Sequence, residues 1–230
     1  MDEPLLLIET SGRGGQVGLA AGGRLLERHL DPARRHARDL APAVSDLLAE
    51  AGLKPRDVIR VGVSVGPGSF TGLRVGVMSA KAFAYATGCE LVAVPTFAAI
   101  AEMWSNPLTT HLHVIADGLQ GLVYAEGFER TPTGWETFAP LRLVTITDWQ
   151  VEWAGRLPPQ NAVTGPGSVL VELALPESVP GKAVVTPTLT ALHAIACRLA
   201  PLLPDDMLTL EPLYLRGSSA EEKAARDGRP

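Results

Sequence analysis

Three short runs open the chain with the apolar density of β-strands: residues 5–9, 16–21 and 24–30. Gly14-Gly15 and Gly22-Gly23 punctuate them, which reads as a meander of antiparallel strands. The apolar period then lengthens. Leu40, Val44, Leu47, Leu48 and Ala51 recur at helical spacing up to Gly52, and Asp31-Pro32 supplies a capping residue followed by proline at the first helical position. The spacing predicts a helix over 32–51. A strand over 58–65, a turn through Gly66-Pro67-Gly68-Ser69-Phe70, a helix over 71–86 and a strand over 91–94 follow. In the second half, 111–116 and 121–129 read as strands, 148–155 as a short helix and 190–203 as a helix. Pro and Gly density over 157–187 suggests long connections there.

Three meander strands followed by helix, strand, helix, strand fit the half-unit of the actin-like ATPase and sugar kinase architecture. Val63-Ser64-Val65-Gly66-Pro67-Gly68-Ser69 has an echo in Ala162-Val163-Thr164-Gly165-Pro166-Gly167-Ser168, as if a strand-to-turn unit occurred once in each half; GPGS is also generic turn chemistry. The expected organisation is an α/β fold of two related subdomains, 1–102 and 103–215, with a charged mobile tail over 216–230.

Composition narrows the class. Of 230 residues, 46% are hydrophobic and 20% charged, enough for a packed core without a disulfide framework. The net charge of −5 argues against whole-molecule attraction to nucleic acid, while leaving room for a local basic patch. Cys89 and Cys197 lack CxxC spacing and are expected as buried small hydrophobes in a reducing compartment. No uninterrupted apolar run reaches the ~20 residues that span a bilayer, and the opening run is too short for a signal sequence, so a cytoplasmic location is expected.

The strongest local chemistry lies in residues 66–76, GPGSFTGLRVG, which leave a strand and open a helix. Such a junction offers unpaired backbone N–H groups and the positive end of the helix dipole to an anion. Gly66, Gly68, Ser69, Thr71 and Arg74 are the candidate anion or nucleotide loop; the alternative is a tight turn with a surface arginine, since neither a Walker loop nor a full dinucleotide fingerprint is present. Along the following helix Gly72, Gly76, Ala80 and Ala84 form a stripe of small residues, suited to close approach either by another part of this chain or by a second subunit. Arg34, Arg35, His36 and Arg38 crowd the start of the first helix, either as a solvated basic face or toward an acidic partner, a nucleotide or an RNA backbone. The five histidines are scattered without a metal-ligand spacing, and neither a GxSxG elbow nor a Cys placed with a His suggests covalent catalysis. Glu9 and Asp117 lie at strand ends, where an actin-like enzyme keeps nucleotide carboxylates.

GPGSFTGLRVG resembles the signature of the bacterial TsaB (YeaZ) family, whose members act in making threonylcarbamoyladenosine (t6A) on tRNA. The likeness extends to the opening LLIETS, to Arg35-His36 with Leu40-x-Pro42, to the strand pair around Asp117 and Val123-Tyr124, and to Pro212-Leu213-Tyr214-Leu215-Arg216. Two departures stand out: Glu9 replaces the family's usual Asp, and Asp117-Gly118-Leu119 replaces Asp-Ala-Arg. The resemblance implies an actin-like (ribonuclease H-like) fold and a non-catalytic subunit that pairs with the catalytic paralogue TsaD through the first two helices. It also implies that the ATPase TsaE joins, that tRNA is met through the complex, and that ATP or ADP with magnesium sits at the subunit junction, with no intrinsic cofactor or metal here. The implied interface comprises Arg35, His36, Leu40, Gly72, Arg74, Gly76, Ala80 and Phe83, and the same patch on a lone protomer should give a homodimer. The competing readings are an ATP-dependent kinase or ATPase, prompted by fold and loop, and an M22-type metallopeptidase, which rests on the glycoprotease label of relatives and is disfavoured by the scattered histidines.

Overall fold

In the computed structural model, which describes residues 3–31, 36–154, 160–165, 169, 179–184 and 186–213, two five-stranded sheets share one topology. Strands β1 (Leu5–Glu9), β2 (Gln16–Ala21) and β3 (Arg24–His29) form the meander. Helix α1 (His36–Ala51) leads to β4 (Arg60–Gly66), and α2 (Phe70–Thr87) to β5 (Glu90–Pro95). The sheet order is β3-β2-β1-β4-β5, with β4 and β5 parallel to β1. Every residue of β1 is buried, as expected for a central strand covered on both faces.

The second half repeats the plan. Strands β6 (His111–Leu119), β7 (Leu122–Thr131) and β8 (Gly134–Thr145) form a meander, β9 (Asn161–Gly165) lies parallel to β6 and β10 (Gly181–Ala183) parallel to β9. The order β8-β7-β6-β9-β10 matches the first sheet strand for strand. Helix α4 (Ile146–Trp149) continues as a wider turn over Gln150–Ala154.

Two helices cross between the halves. Helix α3 (Thr96–Glu102) follows the first sheet, yet Phe97, Ile100 and Ala101 pack with Leu112, Val114 and Phe128 of the second. Helix α5 (Leu189–Arg198) follows the second sheet, yet Leu189, Leu192 and Ala196 pack with Leu5, Leu7, Val92 and Val94 of the first. Each sheet is therefore closed on one face by a helix from the other half. The remaining face of the first sheet carries α1 and α2 over Leu6, Ile8, Val61 and Val63.

A last helix, α6 (Pro204–Thr209), is held to α2 by the Lys81 ammonium, which donates to Leu208 O (2.7 Å) and Leu210 O (3.0 Å). The Leu213 amide then donates to Val65 O at 2.7 Å, beside the 66–76 loop.

The expected strands at 5–9 and 16–21 match the observed bounds. Three differences have physical causes. Helix α5 stops at Arg198 rather than 203, because Leu199 turns extended ahead of Pro201 and Pro204. The twelve-residue β8 was not expected. It carries Pro140, which a sheet tolerates at an edge, and β8 is the edge strand. Helix α3 was not expected either, being seven residues with no polar face. Residues 32–35, the Gly167-Ser168 end of the echo, Tyr214 to Arg216 and the expected tail lie outside the described residues.

Candidate functional site

The 66–76 loop forms at the strand-to-helix junction that its residues predict. Ser69 caps α2, its hydroxyl accepting from the Gly72 amide at 3.3 Å, and Gly88 ends the helix with φ +78°, where a side chain would be strained. The loop is pressed against the end of β1. The Ser69 amide donates to Ser11 O at 2.6 Å, and a Cβ on Gly68 would lie 2.5 Å from that same oxygen. The Gly66 amide donates to the Thr96 hydroxyl at 3.1 Å. The Gly66, Ser69 and Gly72 amides are thus spent within the chain, and Gly68 closes directly on Ser11. Between Gly68 and Ser11 there is no room for a phosphate. Arg74 is exposed, with its guanidinium 4.9 Å from the centre of the Phe70 ring.

Glu9 shares this junction. It is fully buried, and its Oε1 accepts from the Ser11 amide (2.6 Å) and hydroxyl (2.5 Å). Burial raises its pKa from 4.5 to about 7, the Ser11 bonds and Ser64 opposing. Asp117, the other candidate carboxylate, is exposed at the far hairpin and accepts from the Leu119 amide at 2.7 Å. Glu9 ends β1 of the first sheet and Asp117 lies near the end of β6, the corresponding strand of the second.

The small-residue stripe is corrected by its surroundings. Gly72, Gly76, Ala80 and Ala84 are buried against the chain's own first sheet. A Cβ on Gly72 would come 2.1 Å from Thr10 O, and one on Gly76 2.2 Å from Thr10 Oγ1. The small side chains serve the approach of α2 to β1, so Gly72, Gly76 and Ala80 are not available to a second subunit. Of the other expected contacts, Leu40 is 4% exposed, Phe83 is half-buried and Arg74 lies outside; Arg35 and the His36 side chain lie outside the described residues.

The opposite side of α2 was missed by the sequence reading. Arg74, Met78, Ala82 and Tyr85 recur at three- and four-residue spacing on the outer face, with Met78 57% and Tyr85 78% exposed. Beside them a groove of about 530 Å3 runs between α1 and α2, lined by Leu40, Val44, Leu48, Ala82 and Phe83. The signal was present in the near absence of polar residues around α2, which requires covering on more than one side.

His111 and His113 lie on β6 in the second sheet. His113 is 2% exposed and ringed by Phe138, Trp149 and Trp153, and burial, followed by the nearby His111 and Arg142 charges, lowers its pKa to about 4. No cluster of three metal-ligating side chains occurs among the described residues, and no helix among them is long and apolar enough to cross a membrane. The cysteines differ from expectation: Cys89 is half-buried, with burial raising its thiol pKa, and Cys197 is exposed. Cys197 also lies 3.5 Å from His193, a Cys–His pairing that had not been expected.

Two sheets of identical order, each a three-stranded meander extended by two parallel strands, with helices exchanged between them, define the actin-like ATPase fold. Residues 31–162 match the sequence profile of TsaD, the tRNA N6-adenosine threonylcarbamoyltransferase. This is more than half of the chain, which belongs to that family, as a protein of the TsaB (YeaZ) kind. It is 28% identical over 131 residues to the tRNA threonylcarbamoyladenosine biosynthesis protein TsaB of Escherichia coli, covering 56% of this chain and 57% of that one. It is 27% identical over 146 residues to TsaB of Bacillus subtilis, covering 63% of each. The alignments therefore span somewhat over half the length of these relatives. A crystal structure from Pseudomonas aeruginosa, described as similar to peptidase YeaZ, superposes with a TM-score of 0.79 at 25% identity, covering 94% of this chain and all of that one.

Proposed function

We propose that this chain serves t6A formation on tRNA as a non-catalytic subunit that docks onto a TsaD-type threonylcarbamoyltransferase through α2 and the α1–α2 groove. The outward apolar face of α2 carries the reading. Met78 and Tyr85 stand in solvent on the helix that carries the family loop, next to a groove floored by leucine and valine. A contiguous apolar patch of this kind fits burial against a partner, with the aromatic side chain as its anchor. The closed 66–76 loop and the buried Glu9 support a supporting rather than a catalytic role, since neither leaves space for a reacting substrate. On a lone protomer the same face pairs with a second copy, which the transferase displaces.

The test mixes the purified chain with the TsaD-type enzyme of its own organism and measures complex mass and affinity, alongside t6A content in cells. Met78→Glu and Tyr85→Glu are each expected to weaken pairing by roughly thirtyfold, the scale of a hot-spot loss of about 2 kcal/mol, and to lower t6A. Undiminished pairing by the double variant would remove α2 from the interface.

A further inference from the structure

A second cavity lies on the other side of the first sheet. It has a volume of about 630 Å3, within the range of roughly 300–1,000 Å3 usual for small-molecule sites. The start of β1, the β2–β3 hairpin, the start of β4 and the end of α5 enclose it. Leu5, Ala20 and Leu25 form its apolar wall. Cys197 and His193, one helical turn apart on α5, face it together, with Cys197 Sγ 3.5 Å from His193 Nε2. The thiol is exposed.

Two cations complete the rim. Arg60 is fixed, its Nη2 on Glu90 Oε2 at 2.6 Å and its Nη1 on Ala196 O at 3.4 Å, beside the residue preceding Cys197. Arg24 projects from the hairpin, exposed and without an ion pair to another described residue. Glu3 is the acidic group lining the cavity. A nucleophile, a base at contact distance, an apolar wall and a guanidinium available for a carboxylate are the parts needed to bind and exchange with a small acidic disulfide.

The geometry points to Cys197 as a thiol–disulfide exchange site for small carboxylate-bearing disulfides of the glutathione class, with His193 as its base. The His193 imidazole takes the thiol proton, and the Cys197 sulfur attacks one sulfur of the bound disulfide. The disulfide bond breaks as a new one forms to Cys197. The expelled sulfur leaves as a thiolate and takes the proton from His193. Cys197 is oxidised to the mixed disulfide, one half of the small disulfide is reduced to a thiol, and no other reagent is consumed.

The experiment treats the full chain with glutathione disulfide and follows intact mass, the modified residue being located by peptide mapping. One glutathionyl adduct on Cys197 is expected, forming faster than any on Cys89. His193→Gln is expected to slow it by at least tenfold, less than the ~10²–10⁴ of an enclosed general base because this pair stands in solvent. Arg24→Ala is expected to remove the preference for glutathione disulfide over the neutral 2-hydroxyethyl disulfide, with circular dichroism showing both variants folded. Reaction at Cys89 as fast as at Cys197, or an unchanged rate in folded His193→Gln, would overturn the assignment. An unchanged preference in Arg24→Ala would overturn the acidic-ligand part of it.

Discussion

Glu9 sits where the first strand meets the family loop, and its environment makes it a sensor of pH for stability. With a folded pKa near 7 against an ordinary 4.5, it keeps a proton in the folded chain that the unfolded chain has released between those values. Its contribution is therefore fully present below about pH 4.5 and is lost as pH rises through 7. At ~1.36 kcal/mol per pKa unit the loss is on the order of 3 kcal/mol. Glu126, which burial also raises to about 7, acts in the same direction. Chemical unfolding at pH 5 and pH 8 tests this: Glu9→Gln should stabilise the chain at pH 8, leave it nearly unchanged at pH 5, and so reduce the slope between them. An unaltered slope would place the pH dependence elsewhere. At this scale the sequence was partly legible. The carboxylate at the end of β1 could be located, but its fate depended on Ser11 and the loop closing over it, contacts that no spacing encodes. The four-residue separation of His193 and Cys197 on an expected helix places the two on one face, but that both side chains meet at a cavity depends on strands of the other half, which no spacing encodes.

Helix α2 shows how an element can be recognised while its orientation is misread. Its limits followed from the residues to within one position at each end, and so did the need for two covers. Which face met which cover did not follow, because small residues permit close approach equally to a sheet or to another subunit. The answer lies in Thr10, which approaches Gly72 through its carbonyl oxygen and Gly76 through its hydroxyl. Gly76→Ala should therefore act on stability directly: crowding of this kind costs about 1–3 kcal/mol. At about 2–4 °C per kcal/mol for a chain of this size, Tm should fall by roughly 2–12 °C. Met78→Glu on the outer face should stay within about 0.5 kcal/mol of the parent chain. Thermal denaturation of the two variants separates the faces, and equal losses would contradict the orientation. The edge strand β8 and the short α3 were hidden for different reasons, a proline in one and the absence of any period in the other.

At the scale of the whole molecule, the strand-helix order of the first half was legible from the meander onward and the GPGS echo pointed to a repeat, its strand matching β9 and its turn lying outside the described residues, while the crossing of α3 and α5 was not legible, since helix-to-sheet partnership is a tertiary choice. That crossing bears on how the chain can be divided. A cut in the exposed 105–108 loop, close to the expected boundary after residue 102, leaves each fragment owning a helix whose berth is in the other. Fragments 1–106 and 107–230 should be largely unstructured apart and regain a cooperative, native-like spectrum when co-expressed, as measured by far-ultraviolet circular dichroism and co-elution. Independent folding of either piece would contradict the mutual closure. A chain built this way resembles clasped hands more than neighbouring beads: during synthesis the leading half must wait, one wall open, until α5 has left the ribosome.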